Sequence, residues 1–220
     1  MPRSGLTRAS VVDAVVRLAD TDGLEQVTLV RLAEELKVRP PSLFNHIDGL
    51  ADLRRELQLR ALREMINVAS RAAVGRAGSE AVLATAVALR QFAHEHPGLH
   101  AASLPSVPNK DKDLSAAAQD FVGIFFDIVR EYGFKGKEVV HAVRGLFSII
   151  HGFIMLERAG NFGMPTDIDE SFRWLVQRYV ESLNVGGRDA LQVDSRRDPV
   201  STCCGQFSRQ RRNSDEGDNL

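Results

Sequence analysis

The chain has 220 residues, 44% of them hydrophobic and 26% charged, with a formal net charge of -1. That balance excludes disorder throughout, because there is enough apolar surface to offset chain entropy. The longest strongly apolar stretch without a formal charge, Gly145 to Leu156, is too short for a bilayer, and Met1 to Arg8 runs into charged helical sequence without a signal-peptide core. Cys203 and Cys204 are adjacent and offer neither a disulfide framework nor metal-ligand spacing. The expectation is a cytoplasmic protein with no membrane partner, no metal and no cofactor.

Bulk charge does not mark a nucleic-acid binder. Within the first 60 residues, nine Lys and Arg (Arg3, Arg8, Arg17, Arg31, Lys37, Arg39, Arg54, Arg55, Arg60) are matched by nine Asp and Glu. A DNA-binding reading must therefore rest on geometry and motif.

The pattern is all-α, with about nine helices and no alternation long enough for a sheet. A first helix covers Thr7 to Thr21, with Val11, Val12, Val15, Val16, Leu18 and Ala19 on one face, and stops at Asp22-Gly23. A second opens at Thr28 as N-cap and carries Leu29, Leu32, Ala33 and Leu36. Arg39-Pro40-Pro41-Ser42 announces a short third helix, since proline at the first helical position needs no hydrogen bond there; it runs to about His46. A long fourth helix, capped by Asp48 or Gly49, continues to about Ala73.

Further on, Ala81 to Glu95 reads as a helix stopped by His96-Pro97-Gly98, with one more helical turn over Leu99 to Leu104. Leu104 to Asp113 is a solvated loop, and Leu114 to Tyr132 an aromatic helix. Lys137 to Ala159 is apolar nearly all round and must be covered on every side, which points to a partner subunit. Thr166 with Asp169 makes a capping-box pattern before a last helix bearing Phe172, Leu175, Val176, Tyr179, Val180 and Leu183. From Gly186 the pattern dissolves, and the expected division is a reading head over 1–49, a helical bundle over 50–185 and a disordered tail over 186–220. Ser208 to Arg212 in that tail is a basic run.

Residues 28 to 46 carry the functional signal. Two short helices meet at the turn Lys37-Val38-Arg39, and Leu32, Ala33, Leu36, Val38, Leu43 and Ile47 can close a small core. Ser42, Asn45 and His46 then face outward, as in a helix-turn-helix whose second helix enters a major groove.

The stretch Gly23 to Leu53, "GLEQVTLVRLAEELKVRPPSLFNHIDGLADL", resembles the TetR family of bacterial transcriptional regulators. Pro41, Ser42, Leu43, Phe44, His46 and Ile47 fit that family's recognition helix, and His151 to Pro165 with Asp167 to Phe172 is similar to the last two helices of one subgroup's regulatory domain. The resemblance implies a repressor that binds palindromic operator DNA as a homodimer through the last two helices and is released by a small hydrophobic or aromatic effector. It assigns DNA contact to Thr28, Arg39, Pro40, Pro41, Ser42, Phe44, Asn45 and His46: Ser42 and Asn45 at base edges, Arg39 at guanine or phosphate, and Thr28, Phe44 and His46 at the backbone. Three positions depart from the family pattern: Phe44 replaces a common tyrosine, Leu50 a usual lysine and Lys37 the usual turn glycine. Arg3, Arg8, Arg54 and Arg55 are candidates to replace the lost phosphate contacts.

Phe92, Phe121, Phe125, Phe147, His151, Met155 and Trp174 are candidates to line an effector pocket, although such residues are more often plain core. His141 and His151 stand too far apart on one helix to share a metal, and His96 reads as a helix-end residue. Arg144 and Arg158, on the apolar penultimate helix, read either as dimer ion pairs or as contacts to an anionic ligand. No phosphate loop, nucleophile elbow or paired carboxylates near a histidine support an enzyme. The competing reading is a helical dimer that acts on protein partners without DNA.

Overall fold

The computed structural model describes residues 6–108 and 110–193, with side-chain surroundings to Asn184. Among these residues every regular element is helical: eight α-helices and two short 3-10 segments. Helix α1, Arg8–Asp22, opens at Thr7, whose hydroxyl accepts the Ser10 amide at 3.1 Å while Ser10 Oγ accepts the Thr7 amide at 3.0 Å. It buries Val11, Ala14, Val15, Leu18 and Ala19. After a 3-10 turn at Leu24–Gln26, helix α2, Leu29–Leu36, is capped by Thr28 through the Arg31 amide at 3.2 Å.

The third element is a 3-10 helix, Pro40–Asn45, rather than an α-helix. Two leading prolines supply no amide, and in six residues the bonds close at i+3: Ser42 N–H to Arg39 C=O and His46 N–H to Leu43 C=O, both 2.9 Å. Leu43 and Ile47 are buried beneath it, as the spacing requires.

Helix α3, Leu50–Ala73, has the expected 24 residues and hence spans about 36 Å. Around it lie α4 (Gly78–Glu95), α5 (Pro97–Ser103) and α6 (Lys112–Arg130), with α7 (Lys137–Arg158) and α8 (Ile168–Val193) completing the bundle. Helix α4 starts three residues earlier than expected. The N-cap of α8 is Asp167, accepting the Glu170 amide at 2.9 Å, not Thr166; Asp169 instead meets Arg90 at 2.7 Å. Helix α8 runs to Val193, past the tail boundary expected at Gly186; residues 194–220, including Ser208 to Arg212 and both cysteines, lie outside the described residues.

Helix α7 buries Val139, Ala142, Val143, Leu146, Ile150, Phe153 and Ile154 along one stripe. By length and composition alone the whole helix is long and apolar enough to cross a membrane, more than its uncharged stretch suggests. The buried stripe packs it into the bundle. Gly145 permits this closeness: a Cβ there would stand 2.4 Å from Tyr179 Oη, which donates to the Ala142 carbonyl at 2.6 Å and so ties α8 to α7. Arg90 pins the other side. Its guanidinium meets Glu157 at 2.5 and 2.7 Å and lies over the rings of Phe172 and Phe153. That guanidinium holds the Glu157 carboxyl below the usual carboxylate range.

Candidate nucleic-acid interface and effector site

The 3-10 rod divides its side chains between a buried and a solvent face. Leu43 is fully buried, Ser42 and His46 are half-buried, and Pro40, Pro41, Phe44 and Asn45 are exposed. Arg39, just ahead of it, and Thr28, at the start of α2, are also exposed. The eight positions assigned to DNA therefore stay outside or at the rim of the small head core. Lys37 sets the angle between the two elements from a left-handed conformation, φ 54° and ψ 41°. For a residue with a Cβ this costs about 1–2 kcal/mol.

Charge is sorted by pairing. Arg8 donates to both carboxylate oxygens of Asp52 (2.9 and 2.7 Å), to Glu56 (3.0 Å) and to the His46 carbonyl (2.9 Å). It clamps α1 to α3 across the end of the rod and keeps the Asp52 carboxyl well below its usual range. Arg55 is held by Asp111 (2.5 Å) and Asp113 (2.8 Å), and Arg31 by Asp22. Arg8 and Arg55 are thus engaged inside the protein and do not stand ready for phosphate. Arg54, exposed on α3, has no ion pair among the described residues, and the same holds for Lys37 and Arg39. Arg3 lies outside the described residues. Within the first 60 residues, where Lys and Arg equal Asp and Glu in number, Lys37, Arg39 and Arg54 are thus the cations flanking the rod that carry no ion pair among the described residues.

In the bundle, four of the candidate effector residues come together. Phe121 and Phe125 of α6 meet Phe147 of α7 at ring-centroid distances of 5.6 and 4.6 Å, and Phe147 stacks on His151 at 5.4 Å. Phe92 is buried elsewhere, tilted against His96 at 5.3 Å. Met155 and Trp174 do not join the cluster: they are 49% and 60% exposed. Helical phase explains both, since Trp174 lies two residues (about 200°) from buried Phe172, and Met155 falls beyond the Ile150–Ile154 stripe.

Sequence reasoning missed His100. It continues the stack, its ring 5.5 Å from that of His151 and 20° from parallel, with Nε2 3.3 Å from His151 Nδ1. Burial lowers both imidazoles; His100, also beside His151 and Arg158, is pushed down to about 4. Its Nδ1 is buried without a partner, as are Thr85 Oγ1 and Tyr132 Oη. Arg158, expected at a dimer ion pair or an anionic ligand, donates to the Pro97 carbonyl at 3.0 Å.

The same short α5 joins the two regions. Asp20 of α1 accepts the Gly98 and Leu99 amides at 2.8 and 3.2 Å and meets His96 Nδ1 at 3.0 Å. Gly98 lies so close to α1 that a Cβ would stand 2.2 Å from the Ala19 carbonyl carbon. No group of three or more metal-ligating side chains occurs among the described residues.

An exposed rod on a small trihelical head, tied through α3 and the short α5 to an aromatic bundle, is the architecture of a two-part helical regulator. Residues 82–179 match the family model for the tetracyclin repressor-like C-terminal domain. The chain is 35% identical over 191 residues to the HTH-type transcriptional regulator YobS of Bacillus subtilis, covering 86% of this chain and 99% of that protein. The fold is shared with BioQ, solved with its double-stranded DNA operator (TM-score 0.61, 23% identity, 82% of this chain and 99% of that one). It is also shared with the Streptomyces coelicolor TetR family protein ActR, solved in complex with (S)-DNPA (TM-score 0.59, 18% identity, 84% and 100%). The chain belongs to the TetR family of transcriptional regulators.

Proposed function

We propose that this regulator is a cytoplasmic repressor, not an enzyme, that binds a palindromic operator as a homodimer and leaves it when a small hydrophobic or aromatic molecule occupies the bundle. The observation that carries this reading is the outward display of Asn45 and Phe44 over a buried Leu43 on a rod whose far end is held by Arg8. Asn45 and Ser42 read base edges, and Arg39, Lys37 and Arg54 grip phosphate on either side, with Thr28, Phe44 and His46 setting the register. The operator complex of BioQ and the ligand complex of ActR support the two binding partners.

The outer face of α7 supplies the dimer contact. Ser148, Gly152, Met155, Leu156 and Ala159 are exposed on it, with Trp174 exposed on α8. Two copies joined there hold two rods for half-sites roughly 34–36 Å apart, one DNA turn. Helix α5 transmits occupancy: it carries His100 into the aromatic stack and rests its first turn on Asp20 of the head. An effector that binds one placement of α5 more tightly than another shifts the head by that difference in affinity.

Selection of bound DNA from a random pool, followed by mobility shift, tests the reading. The expected product is a palindrome with half-sites one turn apart and a dimer-sized shift. Recovery of no enriched sequence overturns it. Placing glutamate at both Met155 and Leu156 is expected to yield a monomer in sedimentation and to weaken the shift by at least about a hundredfold, since the second half-site no longer adds to the first.

A further inference from the structure

The effector reading leaves the chemistry of the effector open, and the geometry around His100 narrows it. We propose that the His100–His151 pair is the polar end of the effector site and selects a planar aromatic molecule bearing an anionic oxygen, a carboxylate or a phenolate. The inference rests on the reading that the bundle takes an effector.

Three observations converge. Phe147, His151 and His100 are stacked in sequence with neighbouring planes only 22° and 20° apart, and Phe121 stands edge-on to Phe147 at 88°. Flat surfaces of this kind favour a flat guest. Phe147 and His151 are half-buried whereas His100 is 1% exposed, so the stack is reached along α7 and closed by His100. At that closed end His100 Nδ1 has no hydrogen-bond partner, a costly state for a buried polar atom.

The unpartnered nitrogen asks for a donor in one tautomer and for an acceptor in the other. With Nε2–H of His100 donating to His151, Nδ1 is a bare acceptor and takes the proton of an acid O–H. With His151 Nδ1–H donating instead, His100 carries its own proton on Nδ1 and donates to the ionised oxygen. The two arrangements differ only in which tautomer the pair adopts and where the ligand's proton rests, so an acid satisfies both. The charged and titratable side chains acting on His100 are His151 and Arg158, with no carboxylate among them. Of the acids on α7 and α1, Glu157 is held by Arg90 and His94, and Asp20 by His96 and the α5 amides. None of these groups sets a free carboxylate against an anionic ligand at that end, and Arg158 favours one.

Titration calorimetry of the full chain with 2-naphthoate and with 2-naphthamide, one ring system with and without charge, tests this. The naphthoate is expected to bind at least about tenfold more tightly. Its affinity is expected to fall severalfold from about pH 6 to about pH 8, because a bound anion raises the imidazole pKa and binding then takes up a proton, whereas the amide is expected to be indifferent. In His100→Phe the preference disappears while naphthamide still binds. Equal affinity of the two probes for the wild-type chain overturns the inference and leaves the effector site standing. Failure of both probes to bind at about 1 mM overturns the inference and counts against the effector site itself. A preference that survives in His100→Phe also overturns it. The wild-type comparison needs no variant, so a poorly folding substitution does not blunt the test.

Discussion

The N-terminal head places the side chains proposed to meet DNA outside a small core: Arg39, Phe44 and Asn45 are exposed above buried Leu43 and Ile47. The bundle does the reverse, with His100 and Phe125 almost wholly buried and Arg90 spent on the internal Glu157 carboxylate. The difference separates two kinds of energetics. Changes on the head should alter affinity for DNA and leave folding alone, because an exposed side chain has little packing to lose. Changes inside the bundle should alter stability first.

The largest expected effect lies in the bundle. Arg90→Ala leaves the nearly buried Glu157 carboxylate without its main partner and removes the cation over Phe153 and Phe172. Denaturant unfolding should show a loss of about 3–5 kcal/mol, while operator affinity per folded dimer stays as before. A loss of affinity with no loss of stability would break the contrast between the two regions.

Acid gives the next effect. His100 holds a folded-state value of about 4 against an ordinary 6.5, so between those values the unfolded chain binds a proton that the native one refuses. Stability should therefore fall as pH drops from about 6.5 to about 4, by up to about 3 kcal/mol from this group. In His100→Phe that part of the slope should vanish. The lowered carboxyls of Asp52 and Glu157 act at the acid end of the range and remain as a background.

On the head, Asn45→Ala should weaken operator binding by about 1–3 kcal/mol and relax the preference at one base position, with an unchanged melting temperature. The same change in a dimer that worked only through protein partners would leave its activity intact, so this variant also separates the two readings of the chain. Smallest is Lys37→Gly. Relief of the left-handed strain, offset by greater freedom in the unfolded chain, should raise stability by at most about 1 kcal/mol and cost a modest part of the affinity if the ammonium meets phosphate.

What could be read from the sequence follows the same division. Local signals dominate the head: Thr28 as cap, two prolines opening a short rod, and Leu43 with Ile47 spaced to point inward, so the exposed positions followed from a stretch of about twenty residues. The long α3 and the aromatic α6 were legible from periodicity as well. The 3-10 form of the rod was not, because six residues with two missing amides fit either helix type. In the bundle the working contacts join residues far apart in the chain. His100 and His151 are separated by 51 positions, Asp20 and Gly98 by 78, and no local pattern announces such a pairing. Composition pointed to Phe121, Phe125, Phe147 and His151, whose rings do lie together, but added the exposed Met155 and Trp174, since bulk alone does not tell an inner face from an outer one.

The seat of Gly98 on Ala19 bears on how freely such regulators exchange parts. A new DNA specificity is most simply obtained by recombining one protein's head with another's bundle. Here the seam tolerates no extra methyl group at Gly98 and requires an acid at position 20 to receive two amides and an imidazole. A chimera joined between α2 and α3 inherits a foreign α1 and must match both demands, whereas a graft confined to residues 37–46 leaves the seam untouched. A swap of the rod alone is thus the exchange that leaves the Asp20–Gly98 seam intact.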